Sequence, residues 1–159
     1  MDNIENMDFE AIHEKQSDEL MELLDSRRMK ELQTRLEDMN EFDVAEFLSE
    51  IGDNRMPMVF RLLSKETAAD VFANFDAPEQ EQIINSITDS ELSAIIEELY
   101  VDDAVDMMEE LPANVVKRVM RTATPETRRL INQYLNYPEN SAGTVSYTHL
   151  RAHETRSNL

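Results

Sequence analysis

The chain has 159 residues, of which 41% are hydrophobic and 31% charged, so it is long and apolar enough to form a folded core. Two glycines in all argue against a sheet protein, and no apolar run approaches the roughly 18 residues that a membrane span requires. No secretory signal pattern is visible, and the lack of cysteine excludes disulfides and thiolate zinc sites. The net charge of −19 disfavours nucleic acid and anionic lipid as partners, and leaves either an ordinary solvated acidic surface or a cation-responsive site.

The N-terminal part of the chain predicts a lead-in to the main domain. Apolar residues indicate a weak helix at 9–12 and a separate helix around 20–24, followed by a further helical pattern over 29–39. We therefore divide the sequence into a partly disordered lead-in at 1–19 and a main helical domain at 20–145.

From residue 39 onwards the sequence repeats every twelve residues. One apolar residue recurs at this interval near the end of each predicted helix: Met39, Ile51, Leu63, Phe75, Ile87, Leu99, Leu111, Ala123 and Leu135. The positions three and four before it are mostly apolar too, and this spacing produces one apolar stripe along an α-helix. The repeat therefore predicts a series of short helices of about two turns each, joined by short connections.

Helix start signals follow the same register. The residue after the recurring apolar position is a good N-cap in four units: Ser64, Asp76, Thr88 and Thr124. Two of these caps precede a glutamate by three residues, at Glu79 and Glu91, which is the spacing of a capping box. Because helices this short are not stable alone, they must stack. The predicted fold class is an all-α superhelix of about ten short helices, with its handedness open.

Residues 146–159 lose the twelve-residue phase. We interpret them as non-native to the domain, such as a cloning or sequencing scar, and the alternative is a natural disordered terminus. His149 and His153 lie four apart there, a spacing compatible with zinc, but without a third ligand chance explains them better. His13 stands alone in the sequence and is interpreted as a surface histidine.

Motifs for catalysis are not found, since the chain has no nucleophile elbow, no glycine-rich phosphate loop and no H-E-x-x-H. We therefore expect no enzyme and no catalytic or cofactor-binding residues. The basic residues between 117 and 129 lack interleaved aromatics, so ion pairs with acidic helices explain them better than nucleic-acid binding.

The acidic segment at 97–106 is the strongest candidate for chemistry. Asp102 and Asp106 lie four apart, hence on one helix face, where like charges repel by a few tenths of a kcal/mol. A hard cation such as Mg²⁺ or Ca²⁺ would reverse that penalty through oxygen ligation, and Asp70 could add a carboxylate. The alternative to a cation site is a structural role, because negative charge is favourable at the start of a helix. This role explains the position of Asp103 well and that of Asp106 poorly.

Four pieces of the sequence carry a family resemblance: LLSKETAADVF at 62–72, the APEQ turn, ITDSELSAIIEELYVDDAVDMMEELP at 87–112 and YPENSAGTV at 137–145. Together they resemble the cytosolic N-terminal domain of MgtE-type magnesium transporters and channels, over roughly residues 20–145. The resemblance implies a helical superhelix that precedes a pair of CBS domains and a dimeric membrane pore. It also implies a cytoplasmic domain of a bacterial inner-membrane protein, present here as a fragment that does not itself conduct Mg²⁺.

The resemblance further implies a regulatory role. In that family Mg²⁺ binds between the N-terminal domain and the CBS domains and holds the closed state, so Asp70, Asp102 and Asp106 are expected metal ligands. The partner carboxylates would lie in the CBS domains of the same parent chain, which are absent, so Mg²⁺ should bind this fragment weakly. The alternative is an ion-independent helical scaffold for protein–protein interaction, similar in architecture to the middle part of flagellar motor switch proteins.

Overall fold

The computed structural model describes residues 2–135, with side chains from residue 7, and this part of the chain consists of ten α-helices without a β-strand. The all-α class is thereby confirmed. The chain divides into two compact units between Leu63 and Ser64. In the part that the structure describes, no helix combines the length and hydropathy of a membrane span. The predicted tail at 146–159, its boundary at 145 and the YPENSAG segment lie outside the described residues.

The first unit contains the helices α1 (Asp2–Asp25), α2 (Met29–Glu37), α3 (Glu41–Glu50) and α4 (Met56–Phe60). The prediction of two separate helices before residue 25 was wrong, because α1 is continuous. Good helix formers such as Glu14, Lys15 and Gln16 occupy the stretch between the two apolar patches, and nothing there breaks a helix. The predicted boundary at residue 19 and partial disorder before it stay predictions.

Helix α1 ends in a Schellman motif. Arg27 adopts a left-handed backbone conformation with φ of 58°, which lets the chain turn back on the last helical carbonyls. The Arg28 N–H donates to the carbonyl of Leu23 at 2.9 Å, and the Arg27 N–H donates to the carbonyl of Leu24 at 3.1 Å. The polar segment at 26–28, which separates α1 from α2, is therefore a defined turn.

The second unit reproduces the twelve-residue register directly. Its helices are α5 (Lys65–Ala73), α6 (Ala77–Ser86), α7 (Asp89–Glu98), α8 (Val101–Glu110), α9 (Ala113–Thr122) and α10 (Pro125–Leu135), and each begins twelve residues after the one before. The recurring apolar residues from Ile51 to Ala123 are all buried, whereas Met39 is half-buried and Leu135 is 37% exposed. The stripe predicted from sequence is therefore the core of the stack.

Side-chain caps occur where the sequence predicts them. Asp76 with Glu79, and Thr88 with Glu91, form complete capping boxes at the starts of α6 and α7. Ser64 and Thr124 each accept a hydrogen bond from the backbone N–H three residues later. These caps satisfy N–H groups that a short helix would otherwise leave unpaired, and each contributes about 1 kcal/mol.

Helices of the second unit pack mainly on the helix after next: α5 on α7, α7 on α9, and α8 on α10. Arg118 of α9 connects this arrangement by donating to the carbonyls of Ile84 and Ile87 at the end of α6 and to the Asp89 carboxylate of α7. Arg121 lies 4.0 Å from the same carboxylate. For these two residues, the predicted ion pairing of the basic segment is confirmed.

Candidate cation site on helix α8

Helix α8 separates its apolar and acidic residues onto different faces. Val101, Ala104, Met107 and Met108 are buried and hold the helix against the stack. Asp102, Asp106 and Glu110 recur every four residues along a different face. Since the N-cap Tyr100 makes no side-chain capping bond, negative charge in the first turn is also favourable for the helix.

Asp102 carries an unsatisfied oxygen. Its Oδ1 is the one buried side-chain oxygen or nitrogen without a hydrogen-bond partner among the described residues. Leaving a buried acceptor unpaired costs about 1–3 kcal/mol, and proteins do so rarely. An ion or a polar group that reached this oxygen would recover that free energy.

Asp106 has a raised pKa. Partial desolvation of its carboxyl group is the largest cause, and the negative charges of Asp102 and Glu110 act in the same direction. All three causes disfavour the ionised carboxylate, and a cation beside it would oppose them. Carboxylate oxygens are the ligands that Mg²⁺ and Ca²⁺ prefer, so Asp102 and Asp106 fit one side of a hard-cation site.

Asp70 is placed on a different helix, α5, where it is half-buried and its backbone carbonyl accepts a hydrogen bond from Asn74 Nδ2 at 2.7 Å. The structure thus brings Asp102 and Asp106 onto one helix face, but it does not gather them with Asp70 into one compact cluster of ligand atoms in residues 7–135. The assignment of Asp70, Asp102 and Asp106 as metal ligands stays a prediction.

A compact cluster that sequence reasoning missed lies in the first unit. His13 of α1 is half-buried beside Asp43 and Glu46 of α3, and one ligand atom from each lies within 4.8 Å of the others. His13, interpreted from the sequence as a lone surface histidine, therefore lies beside two carboxylates. No local spacing could have revealed the cluster, because about thirty residues separate its two halves and only the packing of α1 near α3 unites them.

Comparison with known proteins identifies the family of this chain. The family model for the MgtE intracellular N domain matches residues 39–140, more than half of the sequence. The chain belongs to the MgtE intracellular N domain family. The resemblance stated from the sequence is confirmed, and the matched region includes the helices from α3 to α10.

Two solved structures share the fold of this MgtE N domain. The crystal structure of the soluble part of a magnesium transporter superposes with a TM-score of 0.74 at 20% identity, over 86% of this chain and 54% of that one. At that identity it supports the fold alone. The cytosolic domain of the Mg²⁺ channel MgtE in complex with ATP gives a TM-score of 0.70 at 27% identity, over 80% and 52%. The chain thus spans about half of each relative. No curated protein matches by sequence.

Proposed function

We propose that this MgtE N domain is a regulatory, non-enzymatic domain of a magnesium transporter or channel, and that carboxylates on α8 take part in sensing Mg²⁺. One observation carries the proposal: the buried, unpaired Oδ1 of Asp102 lies on the same helix face as Asp106, whose pKa is raised. The family membership supplies the context, since the matched model describes an intracellular domain of MgtE.

The sensing step follows from charge. Asp102, Asp106 and Glu110 form a negative face, which repels any second acidic surface, such as the one we propose on the CBS domains of the parent chain. Asp102 and Asp106, with Asp70 as a further proposed ligand, would hold Mg²⁺, which supplies positive charge between the two surfaces. At high cytoplasmic Mg²⁺ the domain would dock and favour the closed state, and at low Mg²⁺ repulsion would release it.

The size of the shift between docked and released states depends on how much more tightly Mg²⁺ binds the docked state. A swing from 1:99 to 99:1 between the docked and released states needs about 5.5 kcal/mol. Two carboxylates on one helix provide only part of this free energy. Mg²⁺ keeps several of its waters and uses few protein oxygens at any one site, so each site binds it weakly. We therefore propose weak binding to the isolated chain and stronger binding when a partner domain, in a homodimeric parent at the bacterial inner membrane, completes the coordination.

The test is a Mg²⁺ titration of the chain, followed by ¹H–¹⁵N NMR. We expect local, saturable shifts at residues 102 and 106, which Asp102→Asn abolishes. Glu22 is an internal control, because it is an exposed carboxylate on α1. Its amide should move no more than with NaCl of equal ionic strength, and Glu22→Gln should leave the shifts at 102 and 106 intact.

The opposite result is equally clear. Shifts that NaCl reproduces, or that appear equally at residue 22, would contradict the ion-sensing proposal. They would favour the alternative function, an ion-independent scaffold that binds partner proteins through its stacked helices.

A further inference from the structure

We propose that His13, Asp43 and Glu46 form a second cation site, separate from α8 and selective for first-row transition metals such as Zn²⁺. His13 belongs to α1, and the two carboxylates belong to α3, where their i, i+3 spacing places them on one face. One ligand atom from each residue lies within 4.8 Å of the others. Three protein ligands with one position left for water are a common set for such ions.

The separation of His13 from Asp43 is slightly wider than that of two ligands of one ion. His13 Nε2 lies 3.9 Å from Asp43 Oδ1, which is too far for a hydrogen bond. Two ligand atoms that each lie about 2.1 Å from one ion stand about 3.0–3.4 Å apart at coordination angles of roughly 90–110°. The two atoms therefore stand about 0.5 Å farther apart than a bound ion requires, which a small side-chain rotation closes, and no direct hydrogen bond between the two side chains has to be broken when an ion enters.

Two of the three ligands are already oriented by neighbouring groups. Asn40 donates from Nδ2 to Asp43 Oδ2 at 2.9 Å, which leaves Oδ1 on the side of His13. The same Asn40 amide accepts from the Asp43 N–H through Oδ1 as the N-cap of α3. The His13 ring lies against Phe9, with 4.5 Å between ring centroids. Outer partners of this kind hold metal ligands in place before the metal arrives.

The surroundings also favour a cation. The cluster lines a cavity of about 260 Å³ between α1 and α3, and the cavity wall carries three further carboxylates, from Glu14, Asp18 and Glu50. Their negative potential attracts divalent cations of any kind. The imidazole sets the selectivity, because nitrogen ligands suit Zn²⁺, Ni²⁺ and Co²⁺, whereas Mg²⁺ takes oxygen. A bound ion would connect α1 to α3.

The experiment is a Zn²⁺ titration of the full chain in which a chelating dye competes with the protein for Zn²⁺. The buffer contains Mg²⁺ at roughly 5–10 mM, a range that would saturate a weak oxygen site, so that Mg²⁺ competes with Zn²⁺ for the protein. His13→Ala should weaken Zn²⁺ binding to the cluster by at least about tenfold. Asn40→Ser should weaken it by about tenfold or more, because serine preserves the N-cap but removes the Nδ2 donor. Glu41→Gln, on α3 but outside the cavity, is the matched control and should bind as the wild type does.

The C-terminal histidines require their own control, because His149 and His153 have a zinc-compatible spacing. The double variant His149→Ala/His153→Ala should keep the Zn²⁺ bound at the cluster, and its His13 imidazole ¹⁵N resonances should shift on titration. If that variant loses all binding, if the His13 resonances do not respond, or if Asn40→Ser binds as tightly as the wild type, the proposed site is refuted. Circular dichroism of each variant separates loss of ligand from loss of fold.

Discussion

Neutralising Asp106 should stabilise the domain. Its carboxylate has a like-charged neighbour four residues before it, Asp102, and another four residues after it, Glu110. Each such pair costs a helix about 0.2–0.5 kcal/mol, so Asp106→Asn should raise the free energy of unfolding by about 0.4–1 kcal/mol at pH 7 and low ionic strength. We expect the gain to fall in 0.5 M NaCl, because the pairs lie near the surface and salt screens them.

The pH dependence of this effect has a definite sign. The folded state raises the pKa of Asp106, so the protonated form is favoured in the folded chain. The contribution of this group to stability is fully present below the pKa of the unfolded chain, near 4, and is lost as the pH rises through the folded-state value. Wild type and Asp106→Asn should therefore converge in stability at acidic pH and diverge towards neutrality.

Urea unfolding at several pH values, followed by circular dichroism, measures the difference. Glu126→Gln is a control of opposite sign, because Glu126 lies in the first turn of α10 and three residues before Arg129, so its charge is favourable. A loss of stability in Asp106→Asn at pH 7, or a gain that does not change with salt, would refute the reasoning. Mg²⁺ at its dissociation constant should add about 0.4 kcal/mol to the wild type and less to the variant.

Three further predictions concern the hydrogen bonds of Arg118, the helix caps and the proposed function. Arg118→Ala should destabilise the second unit by about 1.5–3 kcal/mol in thermal or urea unfolding, because two partly buried carbonyls at the end of α6 lose a charged donor. Thr88→Ala should cost about 1 kcal/mol, since it removes one half of the capping box at α7. In the parent transporter that we propose, alanine at Asp70, Asp102 and Asp106 should leave Mg²⁺ conduction intact and shift closure to higher Mg²⁺.

Each of these has a contrary outcome. Arg118→Lys should recover part of the stability, because one ammonium group cannot reach all three acceptors, and full recovery would show that charge alone matters. Thr88→Ser should be nearly neutral, and a large loss would point to packing of the methyl group in place of capping. Unchanged Mg²⁺ inhibition in the triple alanine variant of the transporter would remove the support for carboxylate sensing, whatever the isolated chain binds.

Much of the fold was predictable because the interactions that define it are local. Thr88 bonds to the N–H of Glu91 three residues later, and the apolar stripe follows positions three and four before each recurring residue, so both are visible as spacings. The prediction failed at α1, where apolar residues are too sparse to show a continuous stripe and helix propensity alone joins the two patches. Asp102 and Asp106 could be placed on one face by the same local rule.

Tertiary structure decided the features that join distant parts of the chain. Whether a single carboxylate oxygen of Asp102 is buried depends on what packs around α8, and no spacing in the sequence encodes it. His13 meets Asp43 because α1 passes near α3, and Arg118 reaches the end of α6 from more than thirty residues away. Periodicity determined which residues form each helix and its core face, whereas contacts between helices determined which charges are left unpaired, shared or brought together as ligands.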